Sequence, residues 1–277
     1  MNFLSKDQIR QLAPVALADK PTREVSSKYV FANTETVIDD LAALGWKPTQ
    51  ASQRTARNAE SPSRFSPHMI KFANPDVVVK GKTDANITFP QIVLTNRHDG
   101  LGAFKFMAGM FRLVCSNGLV IATSTFASVA IPHKGYSFED LRKVVGERTA
   151  ALPETVEFMN QMKQHKLDVG QRRKLALDGL LLRAGIAPTS TEAEEYEREY
   201  INGELIQSIL TPVRKEDAGT DLWSTFNVIQ EKVVKGFEGG GRKVKSLKSF
   251  EKDLDLNSKL FSSALAMMPT AEVEIVA

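Results

Sequence analysis

The chain has 277 residues, 42% of them hydrophobic and 25% charged, the balance of an ordinary chain that folds around a core, so a disordered or fibrous protein is excluded and one large domain or two smaller ones are allowed. The formal net charge of +3 is too small to imply nucleic acid by itself. No apolar run reaches the roughly 20 residues that span a bilayer, the first residues lack a signal-peptide pattern, and the single cysteine, Cys115, excludes an internal disulfide; the expectation is a cytoplasmic chain with no membrane partner.

Residues 3–18 carry weak helical spacing and read as a short helix or arm. Pro21 to Ser27 is a turn or linker, and Tyr29-Val30-Phe31 is a short β-prone run. Asn33 or Thr34 can cap a helix whose stripe is Val37, Ile38, Leu41 and Leu44. Gly45 ends that helix, and Trp46 begins a strand. Residues 51–64 are polar, without periodicity, and read as a flexible loop carrying Arg54, Arg57 and Arg64. Strand signals follow at His68–Phe72, Val77–Val79, Gln91–Thr95, Ala103–Ala108, Met110–Cys115 and Leu119–Ala122. Asp99-Gly100 and Asn117-Gly118 are the strongest hairpin turns.

After Ile131-Pro132 the period changes to that of helices. Phe138 to His165 reads as helix, restarted at Pro153. Val169 to Ala184 is a second, closed by Gly185, and Ala193 to Leu210 a third. Asp221 to Val234 is a fourth, with Leu222, Trp223, Phe226, Ile229 and Val233 on its apolar face. Gly236 to Gly241 has four glycines in six residues and predicts a flexible loop. Phe250 to Met268 is the last helix, and Val273–Val276 a terminal strand or frayed tail. The fold class is α+β: an N-terminal antiparallel β-sheet layer with one helix over residues 1–135, then a helical half over 136–277. The two halves stand apart or pack as one domain.

Three blocks resemble one family. The first runs Leu94-Thr95-Asn96-Arg97-His98-Asp99-Gly100, then a strand, then Phe111-Arg112-Leu113-Val114-Cys115-Ser116-Asn117-Gly118-Leu119. The second holds Ile209-Leu210-Thr211-Pro212, Arg214, Glu216-Asp217, Gly219, Asp221-Leu222-Trp223-Ser224, Ile229-Gln230-Glu231 and Lys235-Gly236. The third, weaker block runs from Tyr29 to Gly45-Trp46-Lys47-Pro48. Together they resemble domain of unknown function 932, a family of bacterial prophages and conjugative-plasmid leading regions. The resemblance implies an origin in mobile elements and, by association with DNA-processing genes, a DNA-related role.

Among chemistry-bearing residues, His98-Asp99-Gly100 reads as a hairpin turn before it reads as an acid/base pair, because Asp-Gly supplies the positive φ such turns need. Cys115 lies among Leu113, Val114 and Leu119 and reads as a small buried apolar residue. Arg112, inside an apolar strand, either pairs with a carboxylate such as Asp99 or faces a groove that takes an anion. The four histidines are dispersed, no metal-ligand spacing is present and no phosphate-binding loop is found. No catalytic residue, metal or cofactor is therefore assigned.

Charge is unevenly spread. From Lys232 to Lys252 there are seven basic residues against Glu238 and Glu251, whereas Glu192 to Glu199 holds five glutamates and one arginine, the face of a solvated helix. The basic segment is the best functional clue. Arg242, Lys243, Lys245 and Lys248 would contact phosphate, joined by Arg54, Arg57, Arg64, Lys105 and Arg112, with Phe65, Phe72, Phe104 and Phe106 as aromatic neighbours. The alternative is that the phenylalanines are core and the charges solvated. The expected function is a mobile-element protein that binds nucleic acid, single-stranded DNA first, in DNA processing or recombination, with oligomerisation open. One alternative is an anti-defence protein that binds a host protein through an apolar patch. Another is a metal-dependent nuclease using Asp76, Asp84, His98 and Asp99.

Overall fold

The computed structural model describes residues 2–21, 31–54, 67–77, 88–98, 104–112, 129–131, 137–150 and 152–269. They fall into two compact units, one up to Leu152 and one from Pro153 onward. The α+β expectation holds: an antiparallel sheet with helices comes first, and a mostly helical half follows.

The first unit is built on a five-stranded antiparallel meander in chain order. Its strands are β1 (Lys47–Gln53), β2 (His68–Ala73), β3 (Thr88–Asn96), β4 (Phe104–Arg112) and β5 (Val129–Ile131). Period-two alternation decides its faces. Ala51, Ile70, Phe72, Ile92, Leu94 and Phe106 form one face and pack against helices α1 (Lys6–Leu12), α2 (Thr34–Ala43) and α3 (Phe138–Ala150) through Ile9, Val37, Leu41, Leu141 and Val145. α2 starts where Asn33 accepts a hydrogen bond from Glu35 N at 2.8 Å, and Gly45 beyond its end has φ +85°. The N-terminal segment is a docked helix: Leu4 N donates to Pro48 O at 2.8 Å, and Lys6 Nζ reaches Glu35 at 3.1 Å and Asp39 at 2.8 Å. The Asp39 hydrogen bond raises the Lys6 pKa above its ordinary value, against a smaller opposing effect of burial.

Three strand expectations change. Residues 51–53 belong to β1 rather than to a loop, because Ala51 is buried in the core. The separate strands at Ala103–Ala108 and Met110–Cys115 become one strand through Gly109, which pairs with Gln91. Val77 lies outside the strands. Val78, Val79, Asp99-Gly100, Asn117-Gly118, Leu119–Ala122 and Val273–Val276 lie outside the described residues.

The second unit is centred on α8 (Leu222–Lys235), with α5 (Val169–Ala184), α7 (Gly203–Leu210) and α9 (Phe250–Leu265) packed on it; α4 (Leu152–Gln164) and α6 (Thr191–Tyr200) complete the helices named here. Local chemistry sets the ends. Asp168 and Gln171 form a capping box on α5, Gly185 closes it at φ +88°, and Asp221 caps α8. The single helix expected over Ala193–Leu210 is two, because Asn202 turns the chain and caps α7 by accepting from Leu205 N at 2.8 Å. Trp223 is core, as expected. Phe158 and Phe226 each meet Phe261 edge-on.

α8 is buried on every side from Leu222 to Glu231, not only along its apolar stripe. Several of its polar residues find partners, although the Thr225 hydroxyl is buried without a hydrogen bond. Asn227 Nδ2 donates to Trp223 O at 2.7 Å, and Gln230 Nε2 donates to Asn257 Oδ1 on α9 at 2.9 Å. Glu231 takes a two-pronged pair from Arg214 at 2.5 and 2.8 Å, Arg214 also reaches Asp217 at 3.2 Å, and Lys235 reaches Glu231 at 3.0 Å. Much of the second sequence block is thus a buried ionic and capping lock.

Gly236–Gly241 is not a flexible loop. It forms most of a two-stranded antiparallel ribbon, β6 (Phe237–Gly239) and β7 (Arg242–Val244). Gly240 and Gly241 sit at the turn with φ +56° and +74°, the positive values a tight hairpin needs. A glycine cluster therefore encodes a hairpin here rather than disorder.

Candidate nucleic-acid interface

The ribbon presents its basic strand beside two tyrosines. Tyr196 and Tyr200 are four residues apart on α6, so they share a face, and their rings stack at 4.8 Å with 30° between planes. The Arg242 guanidinium lies 4.9 Å from the Tyr200 ring centre, within cation–π range. With Ile201, Leu205, Arg183 and Lys245, these groups line a cavity of about 390 Å³. A second cavity of about 610 Å³ is lined by Lys235, Phe237, Lys243, Lys245 and Lys248 among others. Lys243, Val244 and Lys245 line both.

Several contacts hold this strand in place. Arg183 donates from Nε to Val233 O at 2.9 Å and from a terminal nitrogen to Lys245 O at 2.7 Å; burial lowers its pKa. Asn202 Nδ2 donates to Gly240 O at 3.3 Å, joining the ribbon tip to the start of α7. A Cβ at Gly240 would lie 2.6 Å from Asn202 Oδ1 and 2.7 Å from Leu205 N. Gly240→Ala is therefore expected to loosen the ribbon at a cost of about 1–2 kcal/mol. Hydrogen exchange at the Gly239 and Val244 amides should quicken while α8 amides stay protected; unchanged ribbon exchange would refute this.

The basic residues are not equivalent. Lys243 is hydrogen-bonded to Glu238, its cross-strand partner. That contact raises the Lys243 pKa and lowers that of Glu238. Arg242, Lys245 and Lys248 are exposed. The Glu199 hydrogen bond raises the Tyr200 phenol pKa, and Arg173 ties down Glu197 at 3.3 Å. The acidic face of α6 thus partly offsets the ribbon's charge.

Among the described residues the remaining predicted cations, Arg54, Lys105 and Arg112, belong to the first unit and are spread over its sheet. Arg54 follows β1, and Lys105 is exposed on β4 opposite Thr95. Arg112 pairs with Thr88 at the other end of β4, roughly 24 Å from Lys105 at strand spacing. Phe72 and Phe106 are core rather than stacking platforms. Arg57, Arg64, Phe65 and Cys115 lie outside the described residues.

Of the residues expected for a nuclease, the two that are described, Asp76 and His98, stand apart. His98 is wholly buried, its ring 4.8 Å from both Phe31 and His68. Asp76 is exposed beyond the far end of the β2–β3 pair, roughly 17 Å along the strands from the His98 end. Asp84 and Asp99 lie outside the described residues, and among the described residues no group of three metal-ligating side chains occurs. Around His98 the first sequence block is structural. Asn96 Nδ2 donates to Ala32 O at 3.1 Å and Thr34 Oγ1 at 3.0 Å, and Thr34 Oγ1 is 3.0 Å from His68 Nε2. This network joins the end of β3 to the start of α2.

The tyrosine pair was missed in the sequence because the surrounding glutamates mark α6 as a solvated face. The spacing of Tyr196 and Tyr200 was the available signal.

A family model described as domain of unknown function, DUF932, matches residues 21–261. The chain is 27% identical over 273 residues to UPF0380 protein YafZ of Escherichia coli strain K12, covering 96% of this chain and 92% of the relative. It is also 27% identical over 271 residues to UPF0380 protein YfjQ of the same strain, with the same coverage. No solved structure matches it. Among the described residues no helix is long and apolar enough to cross a membrane.

Proposed function

We propose, from the premise that this chain belongs to the DUF932 family, that it binds single-stranded nucleic acid on the β6–β7 ribbon and serves DNA processing in phages and plasmids. The observation that carries this reading is the run of planar groups Tyr196, Tyr200 and Arg242 beside the cations Lys245 and Lys248. Stacking surfaces next to a basic track are what a single strand needs, because its bases are exposed and every base has a π-face. A duplex hides those faces, so it would engage only the cations. The buried lock of Arg214 with Glu231 and the Asn96 network read as scaffold, and among the described residues the ribbon is a chemically open surface in this reading.

Fluorescence anisotropy with labelled single- and double-stranded oligonucleotides at two salt concentrations tests it. Single-strand binding in the micromolar range or tighter is expected, weakening as salt rises, with weaker duplex binding. With about three phosphates contacted, the slope of log affinity against log salt should be near −2, from roughly 0.7 per phosphate on a single strand. No single-strand binding at low salt would remove the proposal, and a host-protein pull-down would then take its place.

A further inference from the structure

The two cavities share strand β7, but their linings differ. The smaller holds the aromatic pair, Arg242 and the apolar side chains of Ile201 and Leu205. The larger is flanked by Lys243, Lys245 and Lys248, and its one aromatic ring, Phe237, is buried with Lys232 Nζ 6.0 Å from its centre. One cavity is therefore walled by aromatic and apolar side chains, and the other by lysines and Glu238 without an exposed ring. Lys245 stands at both, and its backbone is pinned by Arg183.

Resting on the reading above, we infer that the smaller cavity seats one unpaired nucleobase and that the sugar–phosphate chain crosses β7 at Lys245 to meet Lys248 in the larger cavity. At about 390 Å³ the smaller cavity lies near the low end of the roughly 300–1,000 Å³ typical of small-ligand sites. It has room for a base with its sugar but not for a stacked pair of base pairs. Arg242 and Lys245 on its rim meet the adjoining phosphate, and the crossing commits the site to a strand of more than one nucleotide. A free mononucleotide shares the base and phosphate chemistry but cannot reach Lys248 at the same time.

The probes are a mononucleotide, a trinucleotide and an oligonucleotide of about twenty residues, the longer two carrying one 2-aminopurine whose emission reports stacking. The trinucleotide should bind at least about tenfold more tightly than the mononucleotide, and the 2-aminopurine emission should change on binding. Tyr196→Leu and Tyr200→Leu, which keep apolar bulk on α6, should each cut affinity about tenfold and suppress the emission change. Lys248→Gln should cut affinity about threefold and leave the emission change intact. Equal affinity for the mononucleotide and the trinucleotide overturns the strand crossing. Strand binding with an emission change indifferent to both tyrosine variants overturns the base seat and leaves single-strand binding standing. Failure of all three probes to bind overturns this inference and the single-strand reading together.

Discussion

Glu231→Gln is expected to lower the unfolding free energy of the full chain by about 3 kcal/mol, read from urea denaturation. The carboxylate is buried on α8 and holds Arg214 by two hydrogen bonds and Lys235 by a third. The substitution keeps the shape but removes the charge that both cations face. Arg214 retains Asp217, which limits the loss. The pH dependence follows. Burial alone would raise the Glu231 pKa, but hydrogen bonds from Lys235 and Arg214, with their charges, hold it below its ordinary value. A carboxyl depressed in the folded state contributes stability above its unfolded pKa and loses it as pH falls through the folded one. Wild-type stability should therefore fall below roughly pH 5, more steeply than that of Glu231→Gln. Asp178 has the opposite sign: burial raises its pKa, with Lys174 opposing, so its contribution is present at low pH and lost as pH rises. Asp178→Asn should consequently steepen the acid loss. Equal stability of wild type and Glu231→Gln across this range would remove the lock as a stabilising element.

Reversing Arg242, Lys245 and Lys248 together to glutamate should cut single-strand affinity at low salt by at least about a hundredfold and bring the salt slope from near −2 towards zero. Three counterion-releasing contacts are lost and three repulsive charges are introduced. The set omits Lys243 because its ammonium already serves Glu238; a Lys243→Glu change would place two carboxylates opposite one another and disturb the ribbon itself. Lys243→Gln is expected to cost only about twofold. Arg54→Glu with Lys105→Glu measures the sheet unit separately, since those residues lie on the other compact unit. An unchanged salt slope in the triple variant would move the site away from the ribbon. A loss of similar size in the sheet variant would give the first unit a share of the binding.

What the sequence determined by itself is what local geometry dictates. The 3.6-residue stripes, the cap at Asn33, and the closing glycines Gly45 and Gly185 each act within one or two turns of chain. The short β-prone runs at Gln91–Thr95 and His68–Phe72 did the same for strands, so the α+β class was legible, as was the buried place of Trp223. Tertiary structure decided what depends on contacts between distant residues. Arg214 finds Glu231 only because α8 is buried on all sides, which its apolar stripe alone did not reveal. The glycines of 236–241 look like disorder until the start of α7 offers Asn202 to their turn. Tyr196 and Tyr200 look like passengers on an acidic helix until β7 brings Arg242 beside them. Backbone preferences are short-range and survive in the sequence; the convergence of side chains that makes a binding surface is set by packing, which no local pattern records.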